Sequence, residues 1–354
     1  MLDFTSALYL GFRHPSVSLP PWEQLTTGVP AALAEPPAAK EAAAALARLQ
    51  GCERGTLAVS TLHLFFDLFP LLAGPAAAIH VDAGAYPIAR WGVERAQARG
   101  VSAHTFPRGD ADALERALRV TGRGRRPIVV CDGWRPGFGP PPLAAYCSLA
   151  RRFGGLLVVD DTQALGILGE RLGPAAPFGH GGGGSLRHHG IRAGEDVVVV
   201  ASLAKGFGVP VAVLSGGAGL VGRFERRSAT RVHCSPPSAA MVQAAQRALA
   251  LNERVGESRR ARLAELVQRF RARAAAAGFR AHGGLFPVQT VATGEQASAL
   301  FDRLARRAIR AVLHDGSGTR DARLSFLITA RHRPEEIDAA VSALGAPHAR
   351  VAVR

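Results

Sequence analysis

One lysine stands apart from the other basic residues of this chain. The sequence contains 43 lysines and arginines, but only Lys40 and Lys205 are lysines. Lys205 follows an apolar run at 197–201 and is flanked by Gly206 and Gly208. An arginine can replace a lysine in ion pairs, but it does not readily form an imine with an aldehyde, which requires an amine that can lose its proton. The sequence therefore predicts amine chemistry at Lys205, and a surface lysine is the alternative.

An acidic pair ends another apolar run. Residues 158–169 read V-V-D-D-T-Q-A-L-G-I-L-G, so Asp160 and Asp161 follow a predicted strand and precede a turn of small residues. Functional groups at the carboxyl ends of parallel strands line the crevice of such sheets. We expect Asp160 to act with Lys205, while Asp161 is the better candidate for a turn or capping role.

The elements that must position these residues alternate along the chain. Short runs rich in Val, Leu and Ile alternate with helical stretches, which predicts an α/β protein with a largely parallel central sheet. Several runs are apolar throughout, as expected when helices cover both faces of a sheet. Strands are predicted at 57–59, 77–81, 127–130, 156–159, 197–201, 211–215, 288–291 and 324–328. Helices are predicted at 112–120, 143–153, 239–250, 252–277 and 334–344.

The length of 354 residues suits one large domain and a smaller one. We predict that residues 1–50 join the small domain, that 51–250 form the large domain, and that 251–354 form the small α+β domain. The glycine-rich connection at 174–185 is predicted to be a flexible loop, with a lid as the alternative.

Composition narrows the class of protein. The sequence shows no charged-then-apolar leader and no run of about 18 apolar residues, so a cytoplasmic protein without a membrane span is expected. The net charge of +15 comes from short arginine clusters, for which solvated helix faces or an anionic substrate are better explanations than nucleic acid. The cysteines are scattered and predict neither a metal site nor a disulfide scaffold: Cys52, Cys131, Cys147 and Cys234.

The two segments together resemble the α-oxoamine synthases. That family reads roughly D-E-A-H-x-x-G followed by T/S-x-x-K-x-x-G, and this chain has D-D-T-Q-A-L-G at 160–166 and S-L-A-K-G-F-G at 202–208. Residues 3–11 resemble the family's N-terminal N-Y-L-G segment, and 323–332 resemble its C-terminal R-x-R-x-x-x-T-A-x-H strand. The resemblance implies an aspartate-aminotransferase-like fold, which is fold type I of the enzymes that use pyridoxal 5'-phosphate (PLP), and it implies PLP as the cofactor.

The resemblance also implies roles for individual residues. Lys205 would carry PLP as a Schiff base and later move the α-proton of the substrate. Asp160 would pair with the pyridinium nitrogen and keep it protonated, so that the ring can take up electrons. Tyr86 lies where the family has a histidine that stacks on the ring, and an aromatic face can serve the same purpose.

Four hydroxyl residues are implied in phosphate binding. Ser60 and Thr61 precede an apolar helix, and backbone amides at a helix N-terminus bind phosphate; capping of that helix is the alternative. Ser202 matches a position that contacts the phosphate in the family. Ser235, in the H-C-S-P-P segment, matches a residue that reaches the phosphate of a neighbouring subunit, so a homodimer is implied.

Two positions depart from the family. Gln163 replaces a histidine associated with the 3'-oxygen of the cofactor and with the substrate, and glutamine cannot act as an acid or base near neutral pH. Ser325 replaces the arginine that holds the amino-acid carboxylate, and serine lacks the charged fork. Either the substrate is bound in another way, or Arg320 or Arg323 compensates.

The expected activity is acyl transfer, in which an amino acid or amine condenses with an acyl thioester of coenzyme A or of a carrier protein. An aminotransferase is the first alternative, since it uses the same residues. A non-catalytic member of the family that acts as a partner subunit is the third reading. The presence of both Asp160 and Lys205 argues against it.

Overall fold

A computed structural model of the protein describes residues 1–74, 76–121, 124–173, 176–293, 296–314 and 322–345. The strands are β1 (Leu2–Asp3), β2 (Arg54–Ala58), β3 (Ala77–Asp82), β4 (Ser102–Phe106), β5 (Arg126–Asp132), β6 (Leu156–Asp160), β7 (Val197–Ser202), β8 (Ala212–Gly216), β9 (Ala281–His282), β10 (Val288–Ala292), β11 (Ile309–Arg310), β12 (Val312–His314) and β13 (Arg323–Leu327). The helices are α1 (Pro37–Gln50), α2 (Thr61–Leu72), α3 (Pro87–Gln97), α4 (Ala111–Thr121), α5 (Leu143–Arg152), α6 (Ser185–His188), α7 (Ala218–Arg227), α8 (Ala229–His233), α9 (Ala239–Ala276), α10 (Ala297–Arg306) and α11 (Pro334–Leu344).

The larger sheet has seven strands in the order β2-β8-β7-β6-β5-β3-β4. The neighbours from β4 through β7 are parallel, whereas β8 runs antiparallel to both β7 and β2. The prediction of a mostly parallel central sheet is confirmed.

Two apolar cores cover the opposite faces of this sheet. Alternate residues of each inner strand enter different cores, because successive side chains of a strand point to opposite faces. Val158 and Val198 belong to the core that includes α2 and α3, whereas Val159 and Val199 belong to the core that includes α4 and α5. Burial on both faces explains why these strands are apolar along their whole length.

The remaining strands form smaller sheets. The strands β12, β13, β10 and β9 form an antiparallel sheet in that order, and β1 pairs in parallel with β11. One compact unit comprises Met1–Gly11, Pro136–Gly139 and Ser258–Arg354, and the other comprises Phe12–Arg135 and Pro140–Glu257. The three-segment division predicted from the sequence stays a prediction.

Several elements differ from the sequence prediction, which lacked the helices α1, α3, α7 and α10. The helix α9 is continuous where two helices were predicted to meet near residue 251, because no proline interrupts it and a helix tolerates an internal glycine such as Gly256 at a modest cost. The edge strand β4 was not predicted, since Phe106 is its one fully buried residue and its sequence lacks an apolar run. Across the described residues, no helix combines the length and the apolarity that a membrane span requires.

Candidate active site

Three neighbouring strands of the larger sheet each end in an aspartate. The strands β3, β5 and β6 end at Asp82, Asp132 and Asp160, and Asp132 pairs in register with Asp160. The next strand, β7, ends at Ser202, three residues before Lys205. Because parallel strands bring their carboxyl ends to the same edge, this edge collects three carboxyl groups and one amine.

Asp160 and Lys205 influence each other electrostatically. Burial lowers the pKa of Lys205, while the negative charges of Asp160 and Asp132 raise it. Burial raises the pKa of Asp160, while hydrogen bonds from Thr162 and the charge of Lys205 lower it. A lysine whose pKa is lowered holds more of the neutral, nucleophilic amine, which is the form that reacts with an aldehyde.

Tyr86 lies next to the lysine amine. The centroid of its ring is 5.9 Å from Nζ of Lys205, and its side chain is 54% exposed. Its backbone N–H donates a hydrogen bond to Oδ1 of Asp132 over 2.9 Å. The hydrogen bond to Asp132 therefore fixes the backbone of Tyr86, whose aromatic ring lies beside Lys205.

Thr162 connects the turn after β6 to the turn that carries Lys205. The Thr162 N–H donates to Oδ1 of Asp160 at 3.0 Å, and the Ser202 N–H donates to Oγ1 of Thr162 at 3.0 Å. Oγ of Ser202 accepts from the N–H of Ala204 at 3.2 Å. Sequence reasoning missed Thr162, although aspartate side chains in turns commonly accept a hydrogen bond from the backbone N–H two residues later.

Gly206 allows these two turns to pack together. A Cβ at this position would lie 2.4 Å from the carbonyl oxygen of Leu165 and 3.3 Å from Cα of Gly166. Any side chain at 206 would push the turn that carries Lys205 away from the turn that follows Asp160. This close approach explains why glycine directly follows the lysine.

Ser60 and Thr61 lie at the N-terminus of α2. Ser60 occupies the capping position, but its side chain does not cap the helix, since its Oγ is 2.8 Å from Nδ1 of His63. Thr61 is the first residue of this 12-residue helix. A helix N-terminus favours an anion such as phosphate through its dipole and its amide groups.

The other predicted residues are less directly connected to the lysine. Gln163 is half-buried in the turn after Asp160, and Ser235 is exposed in the segment after α8. The contacts above link Asp160, Ser202 and Tyr86 to the turn or the amine of Lys205. They do not link Ser60, Thr61 or Ser235 to it.

Two further strand-end aspartates were not identified from the sequence. Burial raises the pKa of Asp132 to about 8, and the charge of Asp160 adds to the effect. Asp82 accepts hydrogen bonds from the hydroxyl of Tyr146 at 2.7 Å and from the N–H of Gly109 at 3.0 Å, as well as from the N–H of Gly84. The signal for both was an aspartate at the end of an apolar run, the same pattern that identified Asp160.

Asp161 has the structural role expected of it. The N–H of Ser185 lies 3.2 and 3.0 Å from its two carboxylate oxygens, so Asp161 binds the start of α6. Burial raises its pKa to about 7.

The glycine-rich connection at 174–185 is bonded to its surroundings over its described part. Gly181 receives a hydrogen bond on its carbonyl from Asn252 and donates its N–H to Glu257, over 2.8 and 2.7 Å. Isolated bridges also join Leu165 to Gly183 and Glu170 to His180. Residues 174 and 175 lie outside the described residues.

Ser325 is a buried residue of β13. Its Oγ is 2.8 Å from Oγ1 of Thr290 and 2.9 Å from Nε2 of His314. Arg323 is exposed at the start of the same strand, and Arg320 lies outside the described residues. The residue at the position where an arginine was expected is therefore uncharged, and its hydroxyl is hydrogen-bonded to Thr290 and His314.

The side chains at this edge fit PLP by their chemistry. A lysine amine suits the aldehyde, a buried carboxyl group suits the pyridine nitrogen, and an aromatic ring suits the face of the cofactor. The N-terminus of α2 suits the phosphate.

The chain matches known proteins over most of its length. A family model described as aminotransferase class I and II matches residues 35–344. The 8-amino-7-oxononanoate synthase of Alkalilimnicola ehrlichii is 32% identical over 266 residues, which cover 72% of this chain and 63% of that protein. The 8-amino-7-oxononanoate synthase 1 of a Polaromonas species is 28% identical over 97% of this chain and 86% of its own length. The chain thus spans less than two thirds of the first of these relatives.

Solved structures share the fold. A serine palmitoyltransferase of Sphingomonas wittichii superposes with a TM-score of 0.84 at 17% identity, covering 97% of this chain and 86% of that one. The 8-amino-7-oxononanoate synthase of Francisella tularensis superposes with a TM-score of 0.74 at 16% identity, covering 97% and 96%. The predicted aspartate-aminotransferase-like fold is confirmed.

Proposed function

Because the chain belongs to the aminotransferase class I and II family, and within it to the α-oxoamine synthases, we propose that it is a PLP-dependent acyltransferase. It condenses an amino acid or amine with an acyl thioester of coenzyme A or of a carrier protein. The observation that carries the proposal is the half-buried Lys205 amine, whose charge interacts with that of the buried Asp160 carboxyl group at the carboxyl edge of a mostly parallel sheet.

Lys205 and Asp160 hold the reacting groups in this proposal. The Lys205 amine would hold PLP at its aldehyde carbon, and its lowered pKa supplies the neutral form that this requires. Asp160 holds a proton at the ring nitrogen. Bound PLP supplies an electron sink for the bond that breaks at the α-carbon of the substrate. The Lys205 amine, when it is not bonded to the cofactor, would move the α-proton of the substrate.

The neighbouring residues position the cofactor. Tyr86 would stack on the ring, and the N-terminus of α2 with Ser60 and Thr61 would hold the phosphate together with Ser202. Gln163 can donate or accept a hydrogen bond, but its amide does not act as a general acid or base near neutral pH. Proton transfer therefore depends on Lys205.

The assembly we propose is a cytoplasmic homodimer. Ser235 is exposed, as a residue that reaches a neighbouring subunit must be in an isolated chain. Its role in the phosphate site of that subunit follows from the matching H-C-S-P-P segment.

The proposed activity is tested by supplying PLP, amino acids and an acyl-coenzyme A to the purified protein. We expect release of the coenzyme A thiol that requires both the amino acid and the thioester, and that is lost in Lys205→Ala. Formation of pyridoxamine phosphate from amino acids alone, with no thiol release, would identify an aminotransferase and reject the proposal.

A further inference from the structure

An amino-acid substrate needs a positive group for its carboxylate, and Ser325 does not provide one. Its hydroxyl lies within hydrogen-bonding distance of Thr290 and His314, and a serine carries no charge. If the proposed function holds, the chain has to bind the carboxylate with another residue. The cations near the strand ends are the candidates to consider.

Arg135 follows the end of β5 by three residues. The strand β5 lies between β3 and β6 in the sheet, so its carboxyl end is flanked by the ends that carry Asp82 and Asp160. Arg135 is half-buried. A cation is thus placed at the edge of the sheet that collects the carboxyl groups and Lys205.

The guanidinium of Arg135 is held by the turn that carries Tyr86. Its Nη1 donates a hydrogen bond to the carbonyl oxygen of Gly84 over 2.6 Å. Two residues later, the N–H of Tyr86 donates to Asp132, and the Tyr86 ring lies 5.9 Å from Nζ of Lys205. The Arg135 guanidinium is therefore bonded to the same short turn that carries the ring beside the lysine.

Further positive charge surrounds this turn. The guanidinium of Arg90 donates to the carbonyl oxygens of Asp82, Ala83 and Ala85. The side chain of Arg108 packs against Gly84, since a Cβ built on Gly84 would lie 2.8 Å from Cγ of Arg108.

These neighbours shift the pKa of Arg135 in opposite directions. Burial lowers the pKa of Arg135, the carboxylates of Asp132 and Asp82 raise it, and Arg108 and Arg90 lower it. Arginine nonetheless stays protonated in proteins. A group of like charges at a cleft draws anions toward it.

We propose that Arg135 binds the carboxylate of the amino-acid substrate, the role that the family gives to an arginine at the position of Ser325. A planar guanidinium grips a carboxylate through two parallel N–H bonds, which fixes the orientation of the α-carbon. The proposal rests on the proposed function, because the substrate carboxylate reaches this edge only when its amine replaces that of Lys205.

The test compares an amino acid with its decarboxylated amine. The standard L-amino acids are titrated into the PLP-loaded protein, and the one that changes the visible absorbance at the lowest concentration is compared with the corresponding amine. In Arg135→Gln, the Kd of the amino acid should rise about 10- to 100-fold, as for the loss of a charged hydrogen-bonded pair, while the Kd of the amine stays within about twofold. Arg135→Lys should give an intermediate Kd, because it keeps the charge but not the fork.

Arg126→Gln is the matched control, because Arg126 is an exposed arginine at the opposite end of the same strand. It should change neither Kd. Arg323→Gln tests the other candidate. The proposal is overturned if Arg135→Gln weakens the binding of amino acid and amine equally, or weakens neither. It is also overturned if only Arg323→Gln weakens the binding of the amino acid, or if no amino acid binds to the PLP-loaded parent protein.

These outcomes are separable from failure of the proposed function. A parent protein that takes up no PLP, or that releases no thiol from acyl thioesters of coenzyme A or of carrier proteins, rejects the function itself. If Arg135→Gln does not take up PLP, the comparison rests on Arg135→Lys, for which a Kd equal to that of the parent would overturn the proposal.

Discussion

At Lys205, burial and charge act in opposite directions on one amine. Burial lowers its pKa below the ordinary value of 10.5, and two carboxylates raise it. Because the pKa of Lys205 is lowered, the folded protein holds neutral amine at pH values where a lysine in water is still protonated. We expect the rate of PLP attachment to rise with pH through a midpoint below 10.5.

The growth of the visible absorbance of PLP-bound protein measures this rate across neutral and alkaline pH. The reaction of PLP with butylamine under the same conditions serves as the control. It shows the part of the pH dependence that comes from the ionisation of PLP itself. A midpoint at or above the ordinary lysine value would contradict the lowered pKa.

Asp160 carries the second prediction at the scale of a residue. Asp160→Asn should still attach PLP to Lys205, but kcat should fall about 100-fold or more, since a neutral amide cannot hold the ring nitrogen protonated. Asp112→Asn is the control, because Asp112 is an exposed aspartate on α4. Steady-state thiol release gives kcat, and an unchanged value in Asp160→Asn would remove Asp160 from the mechanism.

Among the elements, α8 and the residue before it are bonded to a buried carboxylate of α2. Asp67 on α2 accepts from Oγ of Ser228 at 2.7 Å and from both the N–H and Oγ1 of Thr230 at 2.8 Å, and it pairs with Arg95 at 3.1 Å. These contacts hold the segment that leads to Ser235.

Asp67→Ala should lower the free energy of unfolding by about 3 kcal/mol, because it leaves several buried donors without an acceptor. Urea unfolding of the purified variant measures the loss, with Asp112→Ala as the exposed control. A loss below about 0.5 kcal/mol, the usual range of surface substitutions, would show that Asp67 does not hold α8.

The elements that sequence analysis predicted best are those with continuous apolar runs. The strands β6 and β7 are buried on both faces, so their sequence carries a strong signal. The helix α11 was predicted with its observed bounds, and Pro334 marks its start. The half-exposed edge strand β4 has no such pattern, so it could not be recognised.

For the molecule as a whole, the resemblance to the α-oxoamine synthases is confirmed, as is the fold. The motifs at Asp160 and Lys205 are short and local, so the sequence displays them directly. The parts played by Thr162, Asp132 and Arg135 depend on turns that are distant in sequence and meet at the strand ends. No spacing along the chain encodes that meeting.

The mass of the protein in solution tests the prediction that it is a homodimer. Light scattering of the PLP-loaded protein should give a mass about twice the 37.1 kDa of one chain, because Ser235 is expected to complete the phosphate site of a partner. A mass of one chain, in a protein that still catalyses thiol release, would rule out a shared site.

The central claim, that Lys205 carries the cofactor, is tested most directly by the visible absorbance after addition of PLP. The parent protein should gain the band of a PLP–lysine linkage, Lys205→Ala should lack it, and Lys40→Ala should keep it, since Lys40 is the other lysine of the chain. A parent protein without the band, or a Lys205→Ala variant that retains it, would contradict the account.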